Sequence, residues 1–451
     1  MSQYCRYLFH GCAASALVFG ILGSSAYAQS AFGEWNEKPG WLDDRERAEG
    51  RGFRVGDLEL HPGLGAEVGW DSNVYYQEAD PQDSAVLRVS PHLFLTTLGR
   101  ERMEEAEASE LPRLVFDTGI SGSFYHFFID EARDNLAGAA QLNLEVNPKR
   151  PVSMRFYDQY SRTIRPFTDA ERGTDPYSFA RDRNVAGVEA SLFSPGRILG
   201  GGLGYSFGFD LFEDDAFRFG DNLQHNISGN LSWRFLPQTA IVYETDLYLL
   251  NYTSPDDSSA TSLLIDNERY HSRLGINGAL TQQLSFSLFG GYAVGFYDVA
   301  DDYDGLTAMA ELRWNPRDDL KLSLGYDRDY FASFIGNFYS RDRGYTSVEL
   351  MLLGSFLLGI EGDIGYYSYG IALAPDGALL GNQPYRDDIR VTGRLFAEYR
   401  LQSWIAFSGS LGYSGGFTDF DYLVDAGTGA VLFDPAGFNK FEAWFGTRIF
   451  F

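Results

Sequence analysis

The side chains that could do chemistry in this sequence are arginines, carboxylates and tyrosines that recur at every second position. The stretch IVYETDLYLLNY places Glu244, Asp246 and Tyr248 on one side of an extended chain. The stretch RVTGRLFAEYR likewise sets Arg390 and Arg394 apart from its apolar residues. Carboxylate and guanidinium groups hydrogen-bond hydroxyl groups, and aromatic rings stack on the flat faces of sugars. This pattern predicts either a path for a polyhydroxylated solute or simply a wall that is polar because it is wet.

Nucleophilic and metal chemistry has less support in the sequence. The histidines beyond residue 28 are His61, His92, His126, His225 and His271. None has a serine or aspartate at a spacing that predicts a catalytic dyad, although separate strands can assemble one in space. No loop has the ligand spacing of a calcium-binding hand. The sequence therefore predicts a protein that is not an enzyme, with no catalytic residues, no metal site and no cofactor.

The elements that position these side chains are predicted to be strands. Runs of about ten or more residues with alternating apolar side chains recur from Leu58 onwards, and we count about eighteen of them. The last, FEAWFGTRIFF, alternates up to Phe451. Because such a strand would be a sticky unpaired edge, we expect it to close a barrel by pairing with the first strand. The predicted fold is all-β, a transmembrane antiparallel up-and-down β-barrel over residues 58–451.

A soluble β-sandwich is the alternative fold. Charges of both signs lie in the middle of the predicted strands, as a wet lumen would hold them. Aromatic residues crowd the strand ends, as at Phe124, Tyr125, Tyr366 and Tyr367. Aromatic girdles at the two bilayer interfaces explain that crowding, so both features favour the barrel.

The connections between the predicted strands alternate in length. Short turns recur at 147–151, 194–197, 235–239, 281–283, 315–319, 353–356 and 401–404. Longer stretches lie near 71–84, 164–182, 253–266, 299–305, 371–387 and 419–437. This alternation is typical of bacterial outer-membrane barrels, whose short turns are periplasmic. The charged segment 98–112 breaks the pattern and is predicted to be a helical excursion into the periplasm, and loops 164–182 and 371–387 are long enough to fold into the lumen.

The first 28 residues predict the compartment. They carry one charge, Arg6, then an apolar run, then the small-x-small site AYA from Ala26 to Ala28, which is the pattern of a secretory signal peptide. Residues 29–57 would then form a short periplasmic segment ahead of the barrel. Cys5 and Cys12, the only cysteines, would leave with the signal peptide. A formal net charge of −26 argues against nucleic-acid binding, and the expected location is the cell outer membrane.

A barrel of about eighteen strands encloses an aqueous channel, whereas one of eight is filled by its own side chains. The charged residues predicted to line that channel are Glu67, Asp117, Arg155, Glu244, Asp246, Arg269, Arg273, Glu311, Arg313, Asp327, Glu349, Glu361, Asp363, Arg390, Arg394 and Arg448. A terminal phenylalanine is similar to the signal that barrel-insertion machinery reads, so Phe451 is predicted to be a membrane-insertion signal as well as an interface aromatic.

Residues 46–76, ERAEGRGFRVGDLELHPGLGAEVGWDSNVYY, resemble the first strand of an outer-membrane β-barrel porin family associated with bacterial exopolysaccharide and capsule secretion. The similar part is RVGDLELHPGLG followed by DSNVYY, in which Asp71, Ser72 and Asn73 begin the first outer loop. Beyond residue 76 the similarity is one of strand rhythm and loop parity. The resemblance implies a barrel that accompanies polysaccharide export, with a periplasmic polysaccharide export protein as a partner, and it carries no catalytic residue across.

These features predict an outer-membrane porin, with a conduit for secreted polysaccharide as the first choice. The alternatives are a general diffusion porin for small solutes, an outer-membrane hydrolase, and a structural surface barrel. The expected partners are outer-membrane lipids and lipopolysaccharide, the barrel-insertion machinery, and polysaccharide or small solutes.

Overall fold

The computed structural model describes residues 40–43, 45–97, 111–129, 135–164, 180–213, 218, 220–253, 266–297, 302–333, 337–371, 379, 381–425 and 431–451. The predicted signal peptide and most of the charged segment 98–112 lie outside these residues. Two single-turn helices, α1 (Gly40–Asp43) and α2 (Arg45–Ala48), come before the first strand. Within the described ranges, no helix is long and apolar enough to cross a membrane.

Long antiparallel strands form one closed wall of 18 strands. They are β2 (Leu58–Asp71), β3 (Ser84–Thr96), β4 (Leu114–Phe127), β5 (Asn135–Val146), β6 (Val152–Thr163), β7 (Arg181–Phe193), β8 (Leu199–Phe212), β9 (Asn222–Leu236), β10 (Thr239–Tyr252), β11 (Asn267–Ala279), β12 (Leu284–Tyr297), β13 (Tyr303–Arg317), β14 (Leu320–Ala332), β15 (Phe338–Leu352), β16 (Phe356–Tyr369), β17 (Asp387–Gln402), β18 (Ile405–Phe417) and β21 (Phe438–Phe450). The short β1 (Phe53–Val55) pairs with the start of β2, and β19 (Asp421–Asp425) pairs with β20 (Val431–Pro435) as a separate hairpin.

The last strand closes the barrel against the first wall strand. β21 pairs with β2 from Phe450 opposite Gly63 to Glu442 opposite Asp71, and its other edge pairs with β18. The FEAWFGTRIFF strand is therefore not a free edge. The predicted all-β antiparallel barrel is confirmed.

The strand registers keep one parity around the whole wall, because residues directly opposite each other on paired strands project to the same side. The side that holds Glu67 and Arg88 on β2 and β3 continues from strand to strand until Arg448 on β21, which pairs with Gly65 on that same side of β2. This is the polar side. The opposite side carries large exposed apolar residues such as Leu203, a composition that suits contact with lipid.

A closed barrel satisfies every backbone hydrogen bond of its wall internally, so it can span a bilayer with an apolar outer face. The polar side of the wall consequently faces the lumen, and the protein is located in the outer membrane. The aromatic residues at the strand ends divide between the two sides. Phe124 and Tyr366 are exposed on the outer face, as a girdle requires, whereas Tyr125 and Tyr367 are buried on the inner face. The prediction of an interface girdle was wrong for those inward members.

The seven predicted short turns all lie at one end of the barrel, between consecutive strands from β5 to β18. At one of them, Leu353 and Gly354 adopt φ values of 53° and 68°, and Ser355 N donates to Leu352 O at 3.2 Å. The segment between β3 and β4 also begins and ends at this end, as strand order requires. We refer to this end as the short-turn end and to the other as the long-loop end.

Candidate functional site

The barrel lumen is the candidate functional site. The residues predicted to line it lie on the inward side of their strands: Glu67 on β2, Asp117 on β4, Arg155 on β6, Glu244 and Asp246 on β10, Arg269 and Arg273 on β11, Glu311 and Arg313 on β13, Asp327 on β14, Glu349 on β15, Glu361 and Asp363 on β16, Arg390 and Arg394 on β17, and Arg448 on β21. That any of them contacts a solute stays a prediction.

Cross-strand ion pairs cover much of the inner wall. Arg394 Nη2 lies 2.5 Å from Glu361 Oε1 across the β16–β17 pair. Asp327 of β14 receives two arginines of β15, with Arg341 Nη2 at 2.7 Å and Arg343 Nε at 2.8 Å. These side chains neutralise one another within the wall, and their remaining donors and acceptors face the lumen.

Several ion-pair partners were missed by sequence reasoning. Arg88 pairs with Glu67 at 2.7 Å, Asp388 pairs with Arg390 at 3.0 Å, and Glu398 pairs with Arg448. Each missed residue lies at the same alternating spacing as the predicted ones, so the signal was present in the sequence. Which residues meet depends on strand register, which a single sequence does not specify.

Other members of the predicted set have no such partner. The side chains of Glu244 and Asp246 make no ion pair or hydrogen bond within the part of the chain that the structure describes. Arg269 is buried, with 7% of its surface exposed, and contacts the ring of Tyr248 at 5.2 Å.

A buried histidine on β11 lies beside an aspartate. His271 Nδ1 is 3.4 Å from Asp329 Oδ1, and His271 Nε2 is 3.4 Å from Tyr303 Oη. Both ring nitrogens are therefore engaged, and a phenol occupies the position that a serine nucleophile would need. Arg273 Nη2 lies 3.4 Å from the other oxygen of Asp329. The arrangement is a polar network of the wall that lacks the nucleophile of a hydrolase.

No metal centre emerges from the same residues. Among the described side chains, no group of three or more histidine, cysteine, aspartate or glutamate residues is placed to hold a metal ion.

A short N-terminal segment, residues 41–43 and 45–48, lies inside the barrel at the short-turn end. Trp41, Leu42 and Ala48 are buried and pack against Phe94 of β3. Trp41 Nε1 donates to Glu67 Oε1 at 3.4 Å, which ties the segment to the inner wall. We call residues 41–43 and 45–48 the mouth segment.

Arginines of the wall hold the main chain of the mouth segment. Arg448 and Arg400 both donate to the carbonyl oxygen of Arg47, Arg400 at 3.4 Å. The guanidinium of Arg448 also lies 5.2 Å from the ring of Trp41. On β2, a Cβ at Gly65 would stand 2.3 Å from the Trp41 ring, so glycine is what leaves room for it.

The mouth segment narrows the short-turn end of the lumen. Sequence analysis predicted a periplasmic segment over 29–57, and the structure adds that the mouth segment, which is part of it, lies within the barrel. The apolar pair Trp41 and Leu42 in an otherwise polar stretch was the available signal.

A hairpin narrows the long-loop end. Phe420, just before β19, is fully buried and packs with the inward tyrosines Tyr339, Tyr367 and Tyr369. Thus the β19–β20 hairpin and its flanks lie over the inner wall of β15 and β16. Sequence analysis named loops 164–182 and 371–387 as able to fold inward, and it did not single out 419–437. Loop 164–182 lies largely outside the described residues. Of loop 371–387, residues 371, 379 and 381–387 are described, and Gly381 and Asn382 contact the hairpin at Tyr422 and Asp421.

One arginine anchors this hairpin. Arg386 donates to Tyr422 Oη at 2.6 Å and, through two nitrogens, to Asp388 at 2.8 and 2.7 Å. Burial lowers the pKa of Arg386, but the neighbouring Tyr422 and Asp388 outweigh it, so the pKa of the guanidinium is raised. The group is therefore a permanent cation that fixes the hairpin to β17.

The DSN residues of the family-like stretch join the ends of the first and last strands. Lys440 Nζ lies 2.7 Å from Asp71 Oδ2 and donates to Asn73 O at 3.1 Å. Ser72 Oγ accepts from the main-chain nitrogen of Phe441 at 2.7 Å. Lys440 and Asp71 are almost completely buried, with side-chain exposures of 0% and 1%. This stretch therefore has a structural role at the seam of the barrel.

No protein-family model matches the chain, and no curated protein matches it by sequence. Solved outer-membrane proteins are similar to it only remotely. The outer membrane protein OpdK of Pseudomonas aeruginosa is 10% identical, with 87% of this chain and 99% of that chain covered and a TM-score of 0.43. OccK2 (OpdF) of the same organism, solved in complex with glucuronate, is 12% identical, with coverage of 88% and 99% and a TM-score of 0.45.

The siderophore receptor PirA of Pseudomonas aeruginosa is 10% identical, with 87% of this chain and 80% of that chain covered and a TM-score of 0.41. At these values the description of the chain as a barrel rests on its own strand pairing, which closes the sheet without reference to any other protein.

Proposed function

We propose that the protein is an outer-membrane porin through which small polar solutes cross. The observation that carries the proposal is that the inward-facing side chains form one continuous polar surface around all 18 strands, while the outer face is apolar. A barrel of this size is wide enough to hold an aqueous channel.

The chemistry of the wall suits solutes that carry hydroxyl groups. Paired arginines and carboxylates keep spare N–H donors and lone pairs, so they can exchange hydrogen bonds with a passing solute. Arginine also stacks on inward tyrosines, with the Arg390 guanidinium 4.0 Å from the ring of Tyr367 and that of Arg343 5.3 Å from the ring of Tyr345. Such surfaces offer both polar contacts and flat apolar faces.

The two narrowed ends favour small solutes over a polymer. The mouth segment is packed against Phe94 and Glu67 at the short-turn end, and Phe420 lies against the tyrosines of the wall at the long-loop end. A polysaccharide chain passing through the lumen would have to displace both segments, whereas we expect a small solute to pass without displacing them.

Polysaccharide passage, the first choice of the sequence analysis, is the second candidate. What favours it is the bank of inward tyrosines Tyr339, Tyr367 and Tyr369 together with the similarity of residues 46–76 to barrels of polysaccharide secretion. In this function the narrowed ends would open in the presence of a partner, such as a periplasmic export protein.

The test is single-channel recording of the refolded mature chain, residues 29–451, in planar bilayers with added maltose and longer maltooligosaccharides. The proposal expects stable ion conductance that maltose enters freely and that long oligosaccharides fail to enter. Conductance that is blocked only by long oligosaccharides would favour the polysaccharide conduit. Absence of conductance from protein whose folding is verified by its heat-dependent gel mobility would overturn the porin.

A further inference from the structure

The buried arginines of the barrel follow one rule with one exception. Within the described residues, the buried arginines are Arg88, Arg181, Arg269, Arg341, Arg386, Arg390 and Arg448. All but Arg269 lie against a carboxylate: the partners, in order, are Glu67, Asp210, Asp327, Asp388, Asp388 and Glu398. Removing a charge from water is unfavourable by several kcal/mol unless it is paired, which explains the rule.

Arg269 has no such partner. Its side chain makes no ion pair or hydrogen bond with any residue of the described chain, and its Nε is buried without an acceptor. Asp329, the carboxylate beside His271, is already engaged, since it lies 3.4 Å from both His271 and Arg273. A buried guanidinium that the fold leaves unpaired is a group prepared for an anion from outside the chain.

The surroundings of Arg269 are aromatic. Its guanidinium lies 5.2 Å from the ring of Tyr248, and Tyr297 and Tyr303 project to the same side of the wall from the next two strands. The hydroxyl of Tyr297 is itself buried without a hydrogen-bond partner. The site thus holds one unpaired cation and one unpaired hydroxyl among flat rings.

The local backbone is arranged to bring these rings together. Gly295 of β12 pairs with Arg269 on one side and with Tyr303 on the other. A Cβ at Gly295 would stand 2.3 Å from the ring of Tyr303, so the glycine lets that ring lie flat over the strand. Tyr303 stacks on Tyr330 with ring centroids 4.7 Å apart and an angle of 4° between the planes.

We propose that Arg269, Tyr297 and the surrounding tyrosines form a binding site for a small organic carboxylate whose body is a ring. The carboxylate pairs with the Arg269 guanidinium and accepts from the Tyr297 hydroxyl, and the ring stacks on the tyrosine bank. Arg269 lies two residues from the long-loop end of β11.

This inference deepens the proposed porin function by naming a class of solute, and it rests on that function for the passage of the ligand. Binding itself needs only access from the long-loop end. Binding and conduction can therefore be measured separately.

The binding experiment is isothermal titration calorimetry of the refolded mature chain in detergent with sodium benzoate, and with benzyl alcohol as the uncharged ligand of the same ring. We expect benzoate to bind and benzyl alcohol to need a concentration higher by roughly tenfold or more, because one ion pair is worth at least that ratio. In Arg269→Gln, benzoate binding should weaken by a similar factor. Arg269→Lys keeps the positive charge but lacks the planar guanidinium, so its affinity for benzoate should lie between those of the wild type and Arg269→Gln.

Arg317→Gln is the matched control, because it removes the same charge at an arginine of the short-turn end that is exposed to solvent and pairs with Asp319. It should bind benzoate as the wild type does. Equal benzoate affinity in wild type and Arg269→Gln, or equal affinity of the wild type for benzoate and benzyl alcohol, would overturn the site. If Arg269→Gln fails to fold, Arg269→Lys and the comparison of benzoate with benzyl alcohol still test whether the site exists.

Conduction separates the two proposals. A wild type that binds benzoate through Arg269 but conducts no ions would overturn the porin and leave the site standing. A wild type that conducts ions but releases no heat with benzoate would overturn the site and leave the porin standing.

Discussion

The Asp71–Lys440 pair shows how single residues stabilise the seam of the barrel. Both charges are almost fully buried, and their atoms lie 2.7 Å apart between the first and last wall strands. The Lys440 ammonium also lies 4.0 Å from the ring of Tyr76. Because the lysine side chain is 0% exposed, bulk water could not solvate the ammonium if the carboxylate were removed. Removing either partner would leave an isolated charge in a buried position.

We therefore expect Lys440→Met to lower the free energy of unfolding by about 3–5 kcal/mol, the usual effect of breaking a buried ion pair. The measurement is urea unfolding of the barrel in lipid vesicles, followed by tryptophan fluorescence. The double variant Asp71→Asn/Lys440→Met should recover part of the loss, because no charge is left unpaired. Arg317→Gln, which breaks a pair exposed to solvent, is the control and should change stability by less than about 1 kcal/mol.

The mouth segment is the element whose removal should change the channel most directly. Trp41 is its largest buried side chain, and it contacts Gly65, Glu67 and Arg448 of the wall. Trp41→Ala should loosen the segment and raise the single-channel conductance of the refolded protein. The lipid-facing Trp314, which is 49% exposed, gives the control Trp314→Ala, for which conductance should stay at the wild-type value. Equal conductance in both variants and the wild type would mean that the segment does not limit the current.

The β19–β20 hairpin makes the corresponding prediction at the other end. Phe420 is fully buried against Tyr339, Tyr367 and Tyr369. Phe420→Ala should release the hairpin, so that longer maltooligosaccharides enter the channel and reduce its current. Phe417→Ala is the comparison, because Phe417 lies a few residues earlier and is 45% exposed. If both variants exclude the same sugars as the wild type, the hairpin is not the size-limiting element.

At the scale of the whole molecule, closure depends on the last strand. Phe451 donates its main-chain N–H to Pro62 O at 3.0 Å, and its ring lies 5.6 Å from that of Phe53. These two contacts are few compared with the backbone pairs that β21 forms along its length with β2 and β18. A role of Phe451 as an insertion signal would therefore be visible in cells and not in the purified protein.

We expect deletion of Phe451 to reduce the amount of folded barrel in the outer membrane severalfold, while refolding in detergent reaches nearly the wild-type yield. Heat-dependent gel mobility measures both quantities on the same variant. A matched loss in both settings would assign Phe451 to stability, and no loss in either would remove its predicted role.

The sequence by itself determined the strands, their alternation and the order of short turns and long loops, because each is a local property. Period-two patterning sets which side chains share a face, and turn chemistry sets where the chain reverses. That was enough to predict the barrel, its closure near Leu58, and the inward side of strands such as β10 and β17.

Only the tertiary structure decided which inward side chains meet and what enters the lumen. Strand register and closure bring Glu398 to Arg448 and leave Arg269 without a carboxylate, although all three fit the same local pattern. The mouth segment and the β19–β20 hairpin contact strands that are distant in sequence, so no local periodicity could place them. Contacts of that kind depend on the shape of the closed barrel, which exists only once every strand is paired.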